Sequence, residues 1–252
     1  IGSSFNLYDL AFSSDGMRFF VVNRHFNNNT AGADEVAGFD LTSPYDISTC
    51  TFGSVHDELD TTALTTGSNA GDFDHEEDNR HHKVQSLEIN DDGTKLFLLF
   101  TDNEDSDVGG RLYEYNLSTP YDVSTLSLVL TAGIAVPDST SGVDNPSGMK
   151  FSSDGKRIFI VGHEVGVGND SRRISQISLN KAYDTSSFTL DGGVSLTTGI
   201  SPTNTQPRGV TFSANGLKLY IGNDNNQNGL DQIMEYDLVC PFNIIEGKCP
   251  EI

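Results

Sequence analysis

Apolar and polar positions alternate in short segments along the whole chain. From about residue 84 to residue 131 these segments are Val84–Ile89, Lys95–Phe100, Arg111–Asn116 and Leu126–Thr131. A period of two residues, with many β-branched and aromatic side chains, is typical of β-strands. No segment combines a helical period with capping residues, so helices are not expected. The pattern predicts an all-β protein of short antiparallel strands.

The strands belong to a unit that occurs four times. Each copy has an apolar strand, a turn ending in glycine, a second strand beginning with Lys or Arg or close to one, a third strand, and then an aromatic residue before Asp or Asn. The turns are Ser13–Gly16, Asn90–Gly93, Ser152–Gly155 and Ser213–Gly216, and the aromatic residues are Tyr45, Tyr121, Tyr183 and Phe242. Glycine adopts a positive φ without steric cost, so each turn indicates a β-hairpin. Self-similarity at a regular period predicts that the copies fold alike.

The whole chain of 252 residues is predicted to be a single domain. Its repeats span about 5–60, 83–137, 146–199 and 207–252, and an insertion rich in acidic residues and histidine spans about 56–82. Four short antiparallel strands per repeat, without helices between the repeats, indicate the blades of a β-propeller. The Ser-x-Asp-Gly-x-Lys/Arg turn and the later Tyr-x-Leu and Pro-Tyr-Asp segments resemble the WD40-like, TolB-type propeller repeats of bacterial and phage proteins. This resemblance covers nearly the whole chain and implies a scaffold or binding platform, without specifying an activity.

We therefore expect a β-propeller of four four-stranded antiparallel blades whose last blade is incomplete. After Leu238 the fourth repeat has no obvious outer strand, and few residues precede the first strand of the chain. The missing strand is expected from a continuation of the chain beyond Ile252, from Asn243–Ile245, or from a neighbouring subunit. An open strand edge favours strand addition, so a homo-oligomer or a larger assembly is expected.

The chain is strongly acidic, with a net charge of −21 from 36 acidic and 15 basic residues. Such a chain repels nucleic acid, which excludes a nucleic-acid partner. No apolar segment approaches the ~18 residues of a membrane span. The sequence begins at Ile1 rather than Met, so a processed chain or a fragment is expected.

Three cysteines are present, and two of them lie close together near the end of the chain. Cys240 and Cys249 are each followed by proline and are predicted to form a disulfide. A structural disulfide indicates an oxidising compartment, so an extracellular or cell-surface location is expected. The remaining Cys50 occupies a strand position and is expected to be a buried free thiol rather than an intermolecular bridge.

Two polar loops are candidate calcium sites. The loop after the second strand of the second repeat contains Asp102, Glu104 and Asp107, and the corresponding loop of the fourth repeat contains Asp224, Asn226 and Asn228, with Glu235 beyond it. The second set matches the spacing of a calcium-binding loop, although no helices flank it. A solvated turn rich in Asp and Asn is the alternative interpretation of both loops.

Histidines and carboxylates together form a second candidate site for a metal or another ligand. The histidines are His75, His81 and His82 in the insertion, and His25 and His163 in loops between second and third strands, with Glu164 next to the last. These loops are expected on one face of a propeller, where their side chains could bind a transition metal. Their spacing matches no established zinc site, and an acidic loop without a ligand is the alternative.

Catalytic motifs are scarce, because the sequence has no nucleophile elbow, His-Glu-x-x-His helix or phosphate loop. We expect an extracellular or cell-surface binding propeller that assembles as a surface or appendage subunit and is stabilised by calcium. The alternatives are a calcium-dependent hydrolase of lactones or phosphoesters and a propeller that binds a glycan or a protein. Exposure of the recurring aromatic rings tests the glycan alternative: buried rings indicate packing, and exposed rings would offer one platform per blade.

Overall fold

The computed structural model describes residues 7–23, 35–56, 83–101, 110–136, 145–163, 172–196, 205–225, 231–245 and Cys249. Within these ranges there are fifteen β-strands and short 3-10 turns, and no α-helix. The strands form four consecutive antiparallel sheets, and the fold class is that of a four-bladed β-propeller. No helix in this part of the chain is long and apolar enough to cross a membrane.

In each sheet the strands lie side by side in chain order. The first sheet contains β1 (Leu7–Phe12), β2 (Arg18–Asn23), β3 (Glu35–Asp40) and β4 (Thr51–His56). The second contains β5 (Lys83–Ile89), β6 (Lys95–Thr101), β7 (Gly110–Leu117) and β8 (Leu126–Val136). The third contains β9 (Asn145–Phe151), β10 (Arg157–His163), β11 (Arg172–Leu179) and β12 (Phe188–Ser195). The fourth contains β13 (Thr205–Phe212), β14 (Lys218–Asn225) and β15 (Gln232–Asp237). The predicted all-β class and its repeated strands are therefore confirmed.

The chain divides into two compact units, each built mainly from two sheets. The first unit, Ile1–Glu104 and Leu112–Gly133, holds the first and second sheets, and the second unit, Asp105–Arg111 and Ile134–Ile252, holds the third and fourth. The expectation of one domain with the stated repeat boundaries stays a prediction.

Each unit has its own hydrophobic core between its two sheets. In the first unit Phe20 and Val22 of the first sheet pack in one cluster with Leu96 and Leu98 of the second. In the second unit Phe159, Val161 and Ile174 of the third sheet pack with Leu219 and Ile221 of the fourth. Full burial of such a side chain contributes ~1.5–3 kcal/mol. These interfaces explain why one face of each strand is apolar.

The recurring aromatic residue packs on the recurring glycine within each repeat. Tyr45, Tyr121, Tyr183 and Phe242 all have positive φ angles, between 49° and 63°. In every copy the aromatic N–H donates to the carbonyl of the turn glycine, as in Tyr45 N to Gly16 O at 2.8 Å. A Cβ on any of the four glycines would lie 2.3–2.4 Å from the nearest ring atom. The motif thus recurs in every repeat because only glycine leaves room for the aromatic ring.

The rings therefore serve packing in all four repeats. Those of Tyr121, Tyr183 and Phe242 are half-buried, while Tyr45 is 59% exposed. One face of each ring packs against its own turn glycine. None of the four rings is buried, so the glycan alternative stays a prediction.

The fourth sheet ends at β15, which pairs only with β14 among the described residues. The segment Asn243–Ile245 does not supply the missing strand, so this one of the three predicted completions is wrong. The reason is that Ile244 N donates to the Gln176 side chain of β11 at 2.9 Å, which holds the segment on the third sheet. The other two completions stay predictions.

The cysteine predictions have two outcomes. The predicted disulfide between Cys240 and Cys249 is present, with a Cα–Cα distance of 5.2 Å. Cys50 is a free thiol, but it is exposed, so the predicted burial is wrong. Cys50 caps the 3-10 turn Ile47–Thr49 just before β4 begins, and a capping position outside the strand does not face the core.

Candidate functional site

Most of the predicted ligand residues lie outside the described part of the chain. These residues are Asp102, Glu104, Asp107, Asn226, Asn228, His25, His75, His81, His82 and Glu164. His163 is the last residue of β10, where its backbone is in register with Asn145 and Arg172. Within the described ranges no group of three or more His, Cys, Asp or Glu side chains could hold a metal ion. The calcium and histidine sites stay predictions.

Asp224 and Glu235, the described members of the calcium set, each have a basic partner. Arg208 donates to Asp224 Oδ2 at 3.3 Å, and Lys218 donates to Glu235. Hydrogen bonds and charge from Glu235 and Asp237 raise the pKa of Lys218 above its usual range. In register Asp224 lies opposite Gln206, whereas Glu235 lies opposite Tyr220, four residues earlier on β14. Four residues of a strand span ~13 Å.

Polar side chains gather at one end of the fourth sheet, which we call the loop end. It comprises residues 205–208 of β13, 222–225 of β14 and 232–233 of β15, with Asp231 just before β15. The register of β13 against β14 shifts between Pro207 and Gly209, so Arg208 is the bulged residue. A bulge re-aims the side chain that it carries. The exposed Arg208 guanidinium here donates to Gln206 Oε1 at 2.6 Å as well as to Asp224.

Asn223 lies at the same loop end but on the opposite face of β14. It shares that face with Leu219 and Ile221, because side chains alternate along a strand. Both of these residues pack against the third sheet. Asn223 is only 4% exposed, and among the described residues neither its Nδ2 nor its Oδ1 has a hydrogen-bond partner. A buried polar group left in this state costs ~1–3 kcal/mol.

The neighbours of Asn223 in register explain why its amide has no partner. Opposite it on β13 is Pro207, which has no N–H. The Pro207 carbonyl already accepts a hydrogen bond from the Ser147 hydroxyl of the third sheet. Opposite it on β15 is Gln232, whose side chain is exposed. The local backbone and side chains therefore satisfy neither end of the amide.

The first sheet contains the equivalent asparagine with a partner. Asn23 follows Arg18 by five residues on β2, as Asn223 follows Lys218 on β14. Asn23 is also 4% exposed, and its Nδ2 donates to Glu35 Oε2 at 3.5 Å. Glu35 lies opposite Asn23 in register, where the fourth sheet has Gln232. Sequence reasoning missed Asn223, and the only available signal was that this strand position is Asn in two repeats and Phe100 or Gly162 in the others.

Comparisons with known proteins bear on the fold. No family profile matches the sequence, and no curated protein matches it. The chain is similar in structure to an exo-β-1,3-galactanase from Clostridium thermocellum, with a TM-score of 0.51 and 15% identity over 90% of this chain and 45% of that chain. It is also similar to an exo-β-1,3-galactanase from Phanerochaete chrysosporium, with a TM-score of 0.47 and 12% identity over 90% of this chain and 44% of that chain.

At such low identity the first likeness supports the propeller fold alone. The chain spans less than half the length of these two galactanases. The finer assignment to WD40-like, TolB-type repeats is not confirmed. What the fold and the site define is a four-bladed β-propeller with a polar loop end on its fourth sheet.

Proposed function

We propose that this protein is an extracellular carbohydrate-binding β-propeller that uses the loop end of its fourth sheet. The observation that carries the proposal is the group formed by the exposed Arg208 and the half-buried Gln206 and Asp224. A guanidinium, an amide and a carboxylate held together offer donors and acceptors in fixed planes, which suits hydroxyl groups. The disulfide supports an oxidising compartment.

We favour binding over hydrolysis because the described carboxyl groups with a shifted pKa are all shifted downwards. Glycoside hydrolysis needs a carboxylic acid whose pKa is raised so that it can donate a proton. Hydrogen bonds from Ser13, Thr94 and Ser124 instead lower the pKa of Asp15, Asp92 and Asp122 respectively. The Asp224 carboxylate accepts a hydrogen bond from the Arg208 guanidinium at 3.3 Å. These carboxylates are suited to accepting hydrogen bonds.

The first probes are β-1,3-linked galactose oligomers, chosen because the similar solved structure is named as an exo-β-1,3-galactanase. Isothermal titration with these oligomers, and with a panel of xylan, arabinan and glucan oligomers, should detect binding to at least one of them. Arg208→Ala should weaken that binding ~10-fold, which corresponds to ~1.4 kcal/mol. Lys181→Ala, which removes one exposed positive charge far along the sequence from the loop end, is the control. Absence of binding across the panel, or equal binding by Arg208→Ala, would refute the proposal.

A second candidate function is self-assembly through β15. The observation that favours it is the outer edge of β15, beside which no described strand lies, together with Ile233, which is 80% exposed. Pairing of β15 with a strand of a second copy would cover this edge. Sedimentation should then show association that depends on concentration, and Ile233→Lys should abolish it. A stable monomer at high concentration contradicts this candidate.

We also propose that calcium binds at the Asp102 and Asp224 loops and that a metal binds at the histidine loops. In the fourth sheet a cation would have to compete with Arg208 for Asp224. Calcium should therefore raise the thermal midpoint more in Arg208→Ala than in the unchanged protein. Equal melting with calcium and with chelator, in both proteins, would exclude the site.

A further inference from the structure

We infer that the Asn223 amide is the buried floor of a subsite for a sugar hydroxyl group. This inference rests on the proposed carbohydrate-binding function and names the residue that would recognise the sugar. Asn223 lies at the loop end of the fourth sheet, one residue before Asp224, whose carboxylate belongs to the polar group around Arg208. The two side chains point to opposite faces of β14.

The first step of the argument is that the amide is buried and unpaired. Both polar atoms lack partners in the described part of the chain, although the residue is 4% exposed. Native proteins satisfy nearly all buried polar groups, and the exceptions need an explanation, such as a bound molecule. The neighbour Pro207 has no N–H to donate, and its carbonyl accepts from the Ser147 hydroxyl rather than from the Asn223 amide. No partner is found among the described residues, and we infer that a bound molecule supplies it.

The second step concerns the chemistry of that partner. The amide leaves one donor group and one acceptor group open. A metal cation would satisfy Oδ1 and leave Nδ2 without an acceptor, while an anion would do the reverse. A hydroxyl group both donates and accepts, and two neighbouring sugar hydroxyls would satisfy both atoms. A water molecule also donates and accepts, so the hydroxyl groups of a neutral polyhydroxyl compound would take the place of such a water, and this is the class of ligand that we infer.

The third step is the contrast with Asn23, the matched residue of the first sheet. Asn23 has the same burial, and its amide donates to Glu35. At the matched position of the fourth sheet Gln232 is exposed. The same strand position is therefore satisfied within the chain in one sheet and left open in the other. Local departures from good packing are expected where function requires them.

The test compares Asn223→Leu with Asn23→Leu, since leucine has nearly the shape of asparagine without its polar atoms. Replacing an unpaired buried amide in this way should raise the urea midpoint of the free protein. Asn23→Leu should lower it, because Glu35 loses its donor. Against the oligomer of the panel that the unchanged protein binds best, Asn223→Leu should lose at least tenfold in affinity. Asn23→Leu should bind as the unchanged protein does.

The outcomes separate this inference from the proposed function. If the unchanged protein binds no oligomer of the panel, the proposed function fails and the subsite fails with it. If it binds and Asn223→Leu binds equally well, only the subsite is refuted. A lowered urea midpoint for Asn223→Leu also refutes it, because the amide would then be satisfied in the free protein. Asn223→Asp, which keeps acceptors and removes the donor, should lose affinity as well, and unchanged affinity would contradict the two-atom recognition.

Discussion

The second and fourth sheets occupy the same place in their units, yet they differ in burial. In the second sheet β7 is covered by β8, and its Glu114 and Tyr115 are each 3% exposed. In the fourth sheet the matched residues of β15 are exposed or only half-buried. Both sheets have the same turn, the same aromatic–glycine contact and the same packing on the preceding sheet. Burial of a repeat position is therefore set by the strand beside it.

Two ion pairs at matched positions illustrate this difference in burial. Lys95 pairs with Glu114 in the second sheet, and Lys218 pairs with Glu235 at the matched positions of the fourth. Both pairs join a lysine to a glutamate, but Glu114 is buried and Glu235 is half exposed to water. Exposed pairs contribute little, whereas loss of one partner of a buried pair leaves a charge without compensation. The comparison leads to four measurable differences.

The largest expected effect comes from the turn glycines. Gly93→Ala would place a Cβ 2.4 Å from the Tyr121 ring at a φ of +70°. The left-handed backbone costs ~1–2 kcal/mol and displacement of a packed ring adds ~1–3 kcal/mol, so a loss of ~3 kcal/mol in urea unfolding is expected. Gly216→Ala has the same geometry against Phe242. The loss of stability in Gly216→Ala should be smaller, because the side chains of the fourth sheet are less buried than those of the second. A larger loss for Gly216→Ala would contradict the comparison.

The next difference is expected in the free energy of unfolding when each ion pair is broken. Lys95→Met leaves Glu114 buried without that lysine and should cost ~2 kcal/mol in the free energy of unfolding. Lys218→Met should change it little, since water screens the fourth-sheet pair. The carboxylates raise the pKa of Lys218. Its contribution is therefore present below the ordinary lysine pKa and is lost only as the pH rises beyond it, so the variant should show no new pH dependence between pH 5 and 9. Equal losses in the two variants would show that β15 is covered in solution.

The disulfide should matter by a similar amount. In the second sheet the Thr125 hydroxyl accepts from Thr119 N at 3.2 Å and closes the segment that leads to the outer strand. In the fourth sheet the position of Thr119 is Cys240, which bonds to Cys249 instead. A loop of this length gives ~2.5 kcal/mol in the chain-entropy description. The double variant Cys240→Ala, Cys249→Ala should lower the free energy of unfolding by about that amount. Reductant should lower the free energy of unfolding of the unchanged protein and leave that of the double variant as it is.

Much of this fold could be predicted from the sequence because its determinants are local. The turn at Gly93 and the aromatic position of Tyr121 could be predicted directly, because both recur in every repeat at a regular spacing. Other outcomes depend on how the strands pair and on where each strand begins. Asn223 has no partner because Pro207 and Gln232 fall opposite it in register, and Cys50 is exposed because a short turn precedes β4. Alternation predicts strands but does not give the register that decides which polar groups meet.

The smallest expected difference concerns acid. At the third turn position the second sheet has Asp92, where the fourth has Asn215. A hydrogen bond from Thr94 is the main cause that lowers the pKa of Asp92, so its contribution to stability is present above the ordinary Asp pKa of 3.8 and is lost as the pH falls through the lowered value. Asp92 is largely exposed, so screening keeps the effect below ~1 kcal/mol. Asp92→Asn should remove that part of the acid dependence between pH 4 and 2, and Asn215→Asp should add a similar part to the fourth sheet. If Asn215→Asp left the acid profile unchanged, the fourth sheet would not unfold together with the rest of the chain, and the two sheets would differ in cooperativity as well as in burial.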